Sequence, residues 1–220
     1  MMEHLTLLHK INIVIHVTAG SLALLTGTII LLTKKATPLH KRFGKFFLLL
    51  MAVVIFTGLI GVFVFGRNTF LLIITILSGY LGYSGYRAIK TKSNQRVPID
   101  ICMAILCVLL VSYFLYYFSS IGMIWSPVII YSTVGYLIFI VSYDLLRGFI
   151  PAGAYKRMWL YEHILKMVSA FTALLSAFLG TVLPQYHPYS QFGPSVFGTL
   201  LAIGFIIYFR KKPLFKPAVQ

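Results

Sequence analysis

Long apolar runs alternate along the chain with short polar segments. Seven runs reach the roughly 20 residues that a helix needs to cross a hydrocarbon core of about 30 Å. They cover residues 11–33, 46–66, 69–89, 98–119, 127–146, 158–183 and 194–210. The segments between them carry turn chemistry: Gly66-Arg67-Asn68, Lys92-Ser93-Asn94, Ser126-Pro127, Gly148 to Gly153 and Pro184 to Pro194. None is long enough to divide domains, and no internal repeat is evident. The pattern predicts an all-α polytopic membrane bundle of seven transmembrane helices, one domain spanning 1–220.

Finer periodicities run inside these segments. At 100° per residue, Trp159, Glu162, His163, Lys166, Ser169, Ala173, Ser176 and Gly180 share an arc of roughly 140°. Each is polar, small or interfacial aromatic, whereas Ile164, Leu165, Val168, Phe171, Leu175 and Leu179 occupy the opposite side. In the first run His16 heads a row of Ala19, Gly20, Ala23, Gly27 and Ile30, and in the third Gly79, Gly82 and Gly85 are three apart. Small residues let helix backbones approach closely, so these stripes are expected to face the interior.

Composition makes lipid the solvent. The chain is 59% hydrophobic and 10% charged, with a mean hydropathy of +0.90, whereas soluble domains are about a quarter charged. A net charge of +15 would point a soluble protein toward nucleic acid. No soluble domain exists here to build a basic groove, so nucleic acid is excluded as a partner and the positions of the charges matter more. Sixteen Lys and Arg fall in the 1–2, 3–4 and 5–6 loop regions and the tail, against Lys10 and Arg67 on the other side. This asymmetry predicts an external amino terminus and a cytoplasmic carboxyl terminus, with the basic loops against anionic lipid headgroups. The first run reads as a retained span rather than a cleaved signal, because its basic residues follow the apolar stretch. Tyr113, Tyr116, Tyr117 and Trp125 fit an outer aromatic belt and Trp159 an inner one. Cys102 and Cys107, about 140° apart on one helix, suit neither a disulfide nor joint metal ligation and read as buried hydrophobes.

One basic residue, Lys166, remains inside a span. A Lys at membrane depth costs several kcal/mol unless paired or hydrated, and Glu162, one turn earlier, stands in the favourable helical order. The pair reads either as an ion-pair or proton-relay group or as an interfacial salt bridge that snorkels to the cytoplasmic surface. Asp100, in the first turn of the fourth run, and Asp144, one turn from Arg147, read as orientation and pairing residues.

The histidines separate by depth. His16 lies one to two turns below the outer surface and His163 a similar distance above the inner one, on the order of 15 Å apart. One metal cannot use both. The inner partner is expected to be His40, and the outer one His187, with His4 and His9 as alternatives. Thr37 is placed to cap a helix starting at Pro38, which puts His40 in its first turn beside Phe43, Gly44 and Phe47. A two-sided set of this kind is what a membrane electron carrier with b-type haem would need.

Two segments, HVTAGSLALLTGTIILLTKKATPLHKRFGKFF and WLYEHILKMVSAFTALLSAF, resemble bacterial multi-pass proteins of the domain-of-unknown-function 2306 family or their near relatives. The matching positions are His16, Ala19-Gly20, Gly27, His40 and Gly44 in the first, and His163, Met167 and Thr172-Ala173 in the second. The resemblance implies a bacterial inner-membrane protein and supplies no activity. Three functions stay open: a haem-binding or redox-active protein using His16, His40 and His163; a small-solute or proton-coupled transporter using Glu162, His163 and Lys166; and an intramembrane metal-dependent hydrolase. For the hydrolase the zinc-binding HxxxH pair and a mid-span Asp are both missing from the sequence.

Overall fold

The computed structural model describes residues 2–66, 70–122 and 127–212. Seven long helices occupy the apolar runs: α1 Met2–Leu32, α2 Pro38–Phe63, α3 Phe70–Thr91, α4 Pro98–Ile121, α5 Pro127–Leu146, α6 Met158–Val182 and α7 Tyr189–Lys211. Short helical turns, Arg147–Phe149 and Ala152–Tyr155, link α5 to α6, and another, Pro184–Tyr186, precedes α7. There is no strand among the described residues. Among the described residues five segments are long and apolar enough to cross a membrane: Thr6–Leu32, Pro38–Phe63, Pro98–Tyr117, Met158–Val182 and Tyr189–Lys211. Helices α3 and α5 have comparable lengths of 22 and 20 residues.

Hydropathy locates the apolar part of a helix, not its ends, and two starts differ accordingly. Helix α1 begins at Met2 rather than 11, and α7 at Tyr189, with Pro194 inside the helix rather than at its start. Helix α2 begins at Pro38, as Thr37-Pro38 predicts: the Thr37 hydroxyl accepts the His40 backbone N–H at 3.3 Å and Pro38 sits at the first position. The turn before it is fixed by Lys35, whose ammonium donates to the carbonyls of Ile30 (2.8 Å) and Leu31 (2.7 Å) at the end of α1. These carbonyls have no helical partner, and a cation there also complements the helix dipole. Ala36, at φ 63°, then turns the chain into α2.

Helices α3 and α6 form the centre: α3 packs on α6 and also meets α2, α4 and α5, while α6 carries α7 and touches α1. Glycines set the spacing. A side-chain carbon on Gly85 would lie 3.0 Å from Lys166 Cβ, one on Gly82 would lie 3.0 Å from Met51 Cε, and one on Gly27 only 2.4 Å from the Phe171 ring. Glu162, Lys166, Ser169, Ala173, Ser176 and Gly180 of the α6 stripe are buried, as are Ala19 and Ala23 of the α1 row. Val168, on the bulky side of α6, is buried as well, because α3 and α7 flank the helix. Of the cysteines Cys107 is buried as expected, but Cys102 points out of the bundle. The sequence readings of Arg67, Trp125, Ser126 and Lys216 fall outside the described residues.

Candidate functional site

The chain has four acidic residues, and three of them meet at one end of the bundle. Asp100 comes from α4, Asp144 from α5 and Glu162 from α6; Arg87 of α3, Arg147 just after α5 and Lys166 of α6 join them. Lys166 Nζ lies 2.5 Å from Asp144 Oδ1 and 3.5 Å from Glu162 Oε2. Arg147 reaches Glu162 at 3.0 Å and both aspartates at 3.9 Å, while Arg87 binds Asp100 at 2.8 Å. Three tyrosine hydroxyls donate to the carboxylates: Tyr80 to Asp144 (2.9 Å), Tyr83 to Asp100 (2.7 Å) and Tyr143 to Glu162 (2.5 Å).

Asp144, Glu162, Lys166 and Arg147 are deeply buried, Lys166 1% and Arg147 3% exposed, while Arg87 and Asp100 at the edge are part-buried. Buried charges are tolerated only when paired and hydrogen-bonded, and three carboxylates against three cations satisfy that with no net charge. Just outside the spans, burial works against the Arg147 guanidinium, but Asp144 and Glu162 outweigh it and hold its pKa above the ordinary value. Burial, and then Glu162, push the Tyr155 phenol above its usual range, so it stays neutral. A hole of about 10 Å³ adjoins the cluster between Ser84, Arg87, Asp100 and Arg147, room for about one water. Ser84 Oγ and Arg147 Nε are buried beside it without a hydrogen-bond partner.

The expected Glu162–Lys166 contact therefore exists, but Asp144 is the nearer partner of Lys166, and Glu162 is held mainly by Arg147 and Tyr143. Sequence reasoning did not assign Asp100 and Asp144 to a common site. The available signal was depth, since both acids and Arg87 lie at the same end of their spans as Glu162.

The four candidate histidines fall into different places. His163 of α6 lies with Nδ1 3.0 Å from the Gly85 carbonyl. A carbonyl only accepts, so Nδ1 carries the proton and Nε2 keeps a bare lone pair. His40 in the first turn of α2 feels the charge of Lys35 and, less, of His163, and its ring faces the Ile30 carbonyl, although its buried Nδ1 makes no well-formed hydrogen bond. At Gly44, one turn on, a side-chain carbon would meet nothing within 4 Å. His16 of α1 binds the Thr57 hydroxyl through Nδ1 at 2.8 Å and lines a cavity of about 510 Å³ between α1, α2, α3 and α6. His9 lines it too, but His187 does not; its Nε2 binds the Gly180 carbonyl at 3.0 Å. The inner pair, His40 and His163, lies within electrostatic reach of one another, and the outer pair, His16 and His187, does not share this cavity. Among the described residues no group of three or more His, Cys, Asp or Glu could hold a metal ion.

The chain matches no family model, no curated protein and no solved structure.

Proposed function

We propose that this is a redox-linked protein of a bacterial inner membrane that holds a b-type haem between His40 and His163. Helices α1 to α7 are its seven crossings, with the amino terminus outside and the carboxyl terminus in the cytoplasm. The observation that carries the reading is His40 Nδ1, buried in the first turn of α2 with no hydrogen bond beyond the Ile30 carbonyl that its ring faces, on a ring that feels the charge of His163. A polar atom buried in an apolar surrounding costs free energy unless something meets it. His40 and His163 would be the residues that hold the group, which histidine side chains are chemically suited to do. The Gly85 carbonyl fixes the His163 tautomer and ring, the usual service of a second ligand shell.

When bound, such a group would supply one-electron chemistry. The chain's own part would be to orient the two rings and exclude water, and the neutral charge cluster one turn along α6 would hold that helix in register. A proton-coupled carrier built on Glu162, His163 and Lys166 draws less support, because those charges are closed in by partners and adjoin a hole of only about one water. Protein purified from haem-supplied cells should carry about one haem per chain in a pyridine haemochrome assay. A haem-free preparation of well-folded protein would refute the reading.

A further inference from the structure

The cavity of about 510 Å³ at His16 belongs to neither the charge cluster nor the inner histidine pair. Its size falls within the roughly 300–1,000 Å³ of small-molecule sites. Three glycines, Gly20, Gly58 and Gly61, line it and leave it unfilled. A side-chain carbon on Gly58 would lie 3.5 Å from His16 Cε1, in ordinary contact, so this glycine faces the space beside the His16 ring.

The walls are mostly apolar, with the hydroxyls of Ser21, Thr75, Ser78 and Thr181 spread among them, and Asn12, His16 and Thr57 stand together where α1 meets α2. The Thr57 hydroxyl lies 2.7 Å from the Val53 carbonyl and donates its single proton there. It can then only accept from His16 Nδ1, and the same ring also faces the Val54 carbonyl, which cannot donate. His16 therefore carries its proton on Nδ1, and Nε2 is a bare acceptor. Asn12 Nδ2 donates to the Thr57 carbonyl at 3.0 Å, which leaves the Asn12 side-chain oxygen as a second acceptor. No Lys, Arg, Asp or Glu is among the lining residues, so nothing there favours a charged guest. An apolar chamber whose polar end offers acceptors fits a guest with an apolar body and a hydroxyl donor.

We infer that the cavity between α1, α2, α3 and α6 is a binding site for an uncharged, membrane-soluble alcohol or phenol, its hydroxyl donating to His16 Nε2 or Asn12 Oδ1. The inference goes beyond the haem reading and does not depend on it.

The test uses the full chain in lipid nanodiscs, with farnesol and farnesyl methyl ether as probes, since the ether keeps the apolar body and loses the donor. The intact protein should bind about one farnesol per chain, roughly tenfold more tightly than the ether, the worth of one well-made hydrogen bond. His16→Leu should bring that ratio close to one, and Gly58→Leu, which puts a side chain into the chamber against His16, should weaken binding of both probes. If His16→Leu does not fold, Asn12→Leu must lower the ratio instead. Equal affinity for alcohol and ether would mean that any acyl chain fills the space and would overturn the inference. So would the absence of saturable farnesol binding by intact protein with normal helix content and melting.

Discussion

Lys166 of α6 stands 2.5 Å from Asp144 of α5 and 3.5 Å from Glu162, the acid one turn behind it on its own helix. The interhelical partner is thus the nearer one, so this ion pair ties α6 to α5 rather than only decorating α6. With Arg147 bridging toward Asp100, the same network spans α3, α4, α5 and α6.

Removing one member should leave an uncompensated buried charge. Lys166→Met is expected to cost about 3–5 kcal/mol, in the range seen when one partner of a buried pair is deleted. The double change Lys166→Met with Asp144→Leu should recover part of that loss, because it removes both charges. Equilibrium unfolding in mixed micelles reads both values, and additive losses would show that the two residues are not coupled.

Helix order, the inward stripe on α6 and the glycine approaches of α3 were legible in the sequence because they follow from period and size. The charge cluster was not. Asp100, Asp144 and Glu162 are 44 and 18 positions apart along the chain, and spacing on one helix cannot say which acids from other helices share its depth. Glu162 and Lys166 looked like partners because a helix places them one turn apart. Asp144 takes precedence because α5 delivers it to the same point from outside. The depth of His40 was legible for a local reason, since Thr37-Pro38 starts a helix wherever it stands. The cavity at His16 was invisible, because it is made of side chains that are absent.

Gly27 tests the close approach of α1 to α6. Gly27→Ala would put a carbon 2.4 Å from the Phe171 ring and should cost about 1–3 kcal/mol through overpacking. Combining it with Phe171→Ala should restore part of the loss. Gly135→Ala, which meets nothing within 4 Å, should stay within about 0.5 kcal/mol of the parent. Thermal melts of the four proteins check the order.

The cap before α2 makes a separate prediction. Thr37→Ala should cost about 1 kcal/mol, and because the first turn carries His40, it should also lower haem retention. Thr37→Ser should behave as the parent does. Haem content after a mild detergent wash distinguishes the cap from a purely basic hinge, since a topological role for this loop would be indifferent to the hydroxyl.

The proposed topology follows from the basic residues at one end of the helices. Green fluorescent protein fused to the carboxyl terminus should fluoresce, and alkaline phosphatase fused there should be inactive. Active phosphatase at that end would reverse the orientation and place His40 and His163 on the outer side.

The most direct measurement of the central claim is the visible absorption spectrum of the purified protein beside its His40→Ala, His163→Ala and His187→Ala variants. The parent and His187→Ala should share a Soret band and sharpened bands on reduction, while His40→Ala and His163→Ala should lose most of the absorbance yet retain helix content. A colourless parent, or a band that persists through both His40→Ala and His163→Ala, would contradict the account.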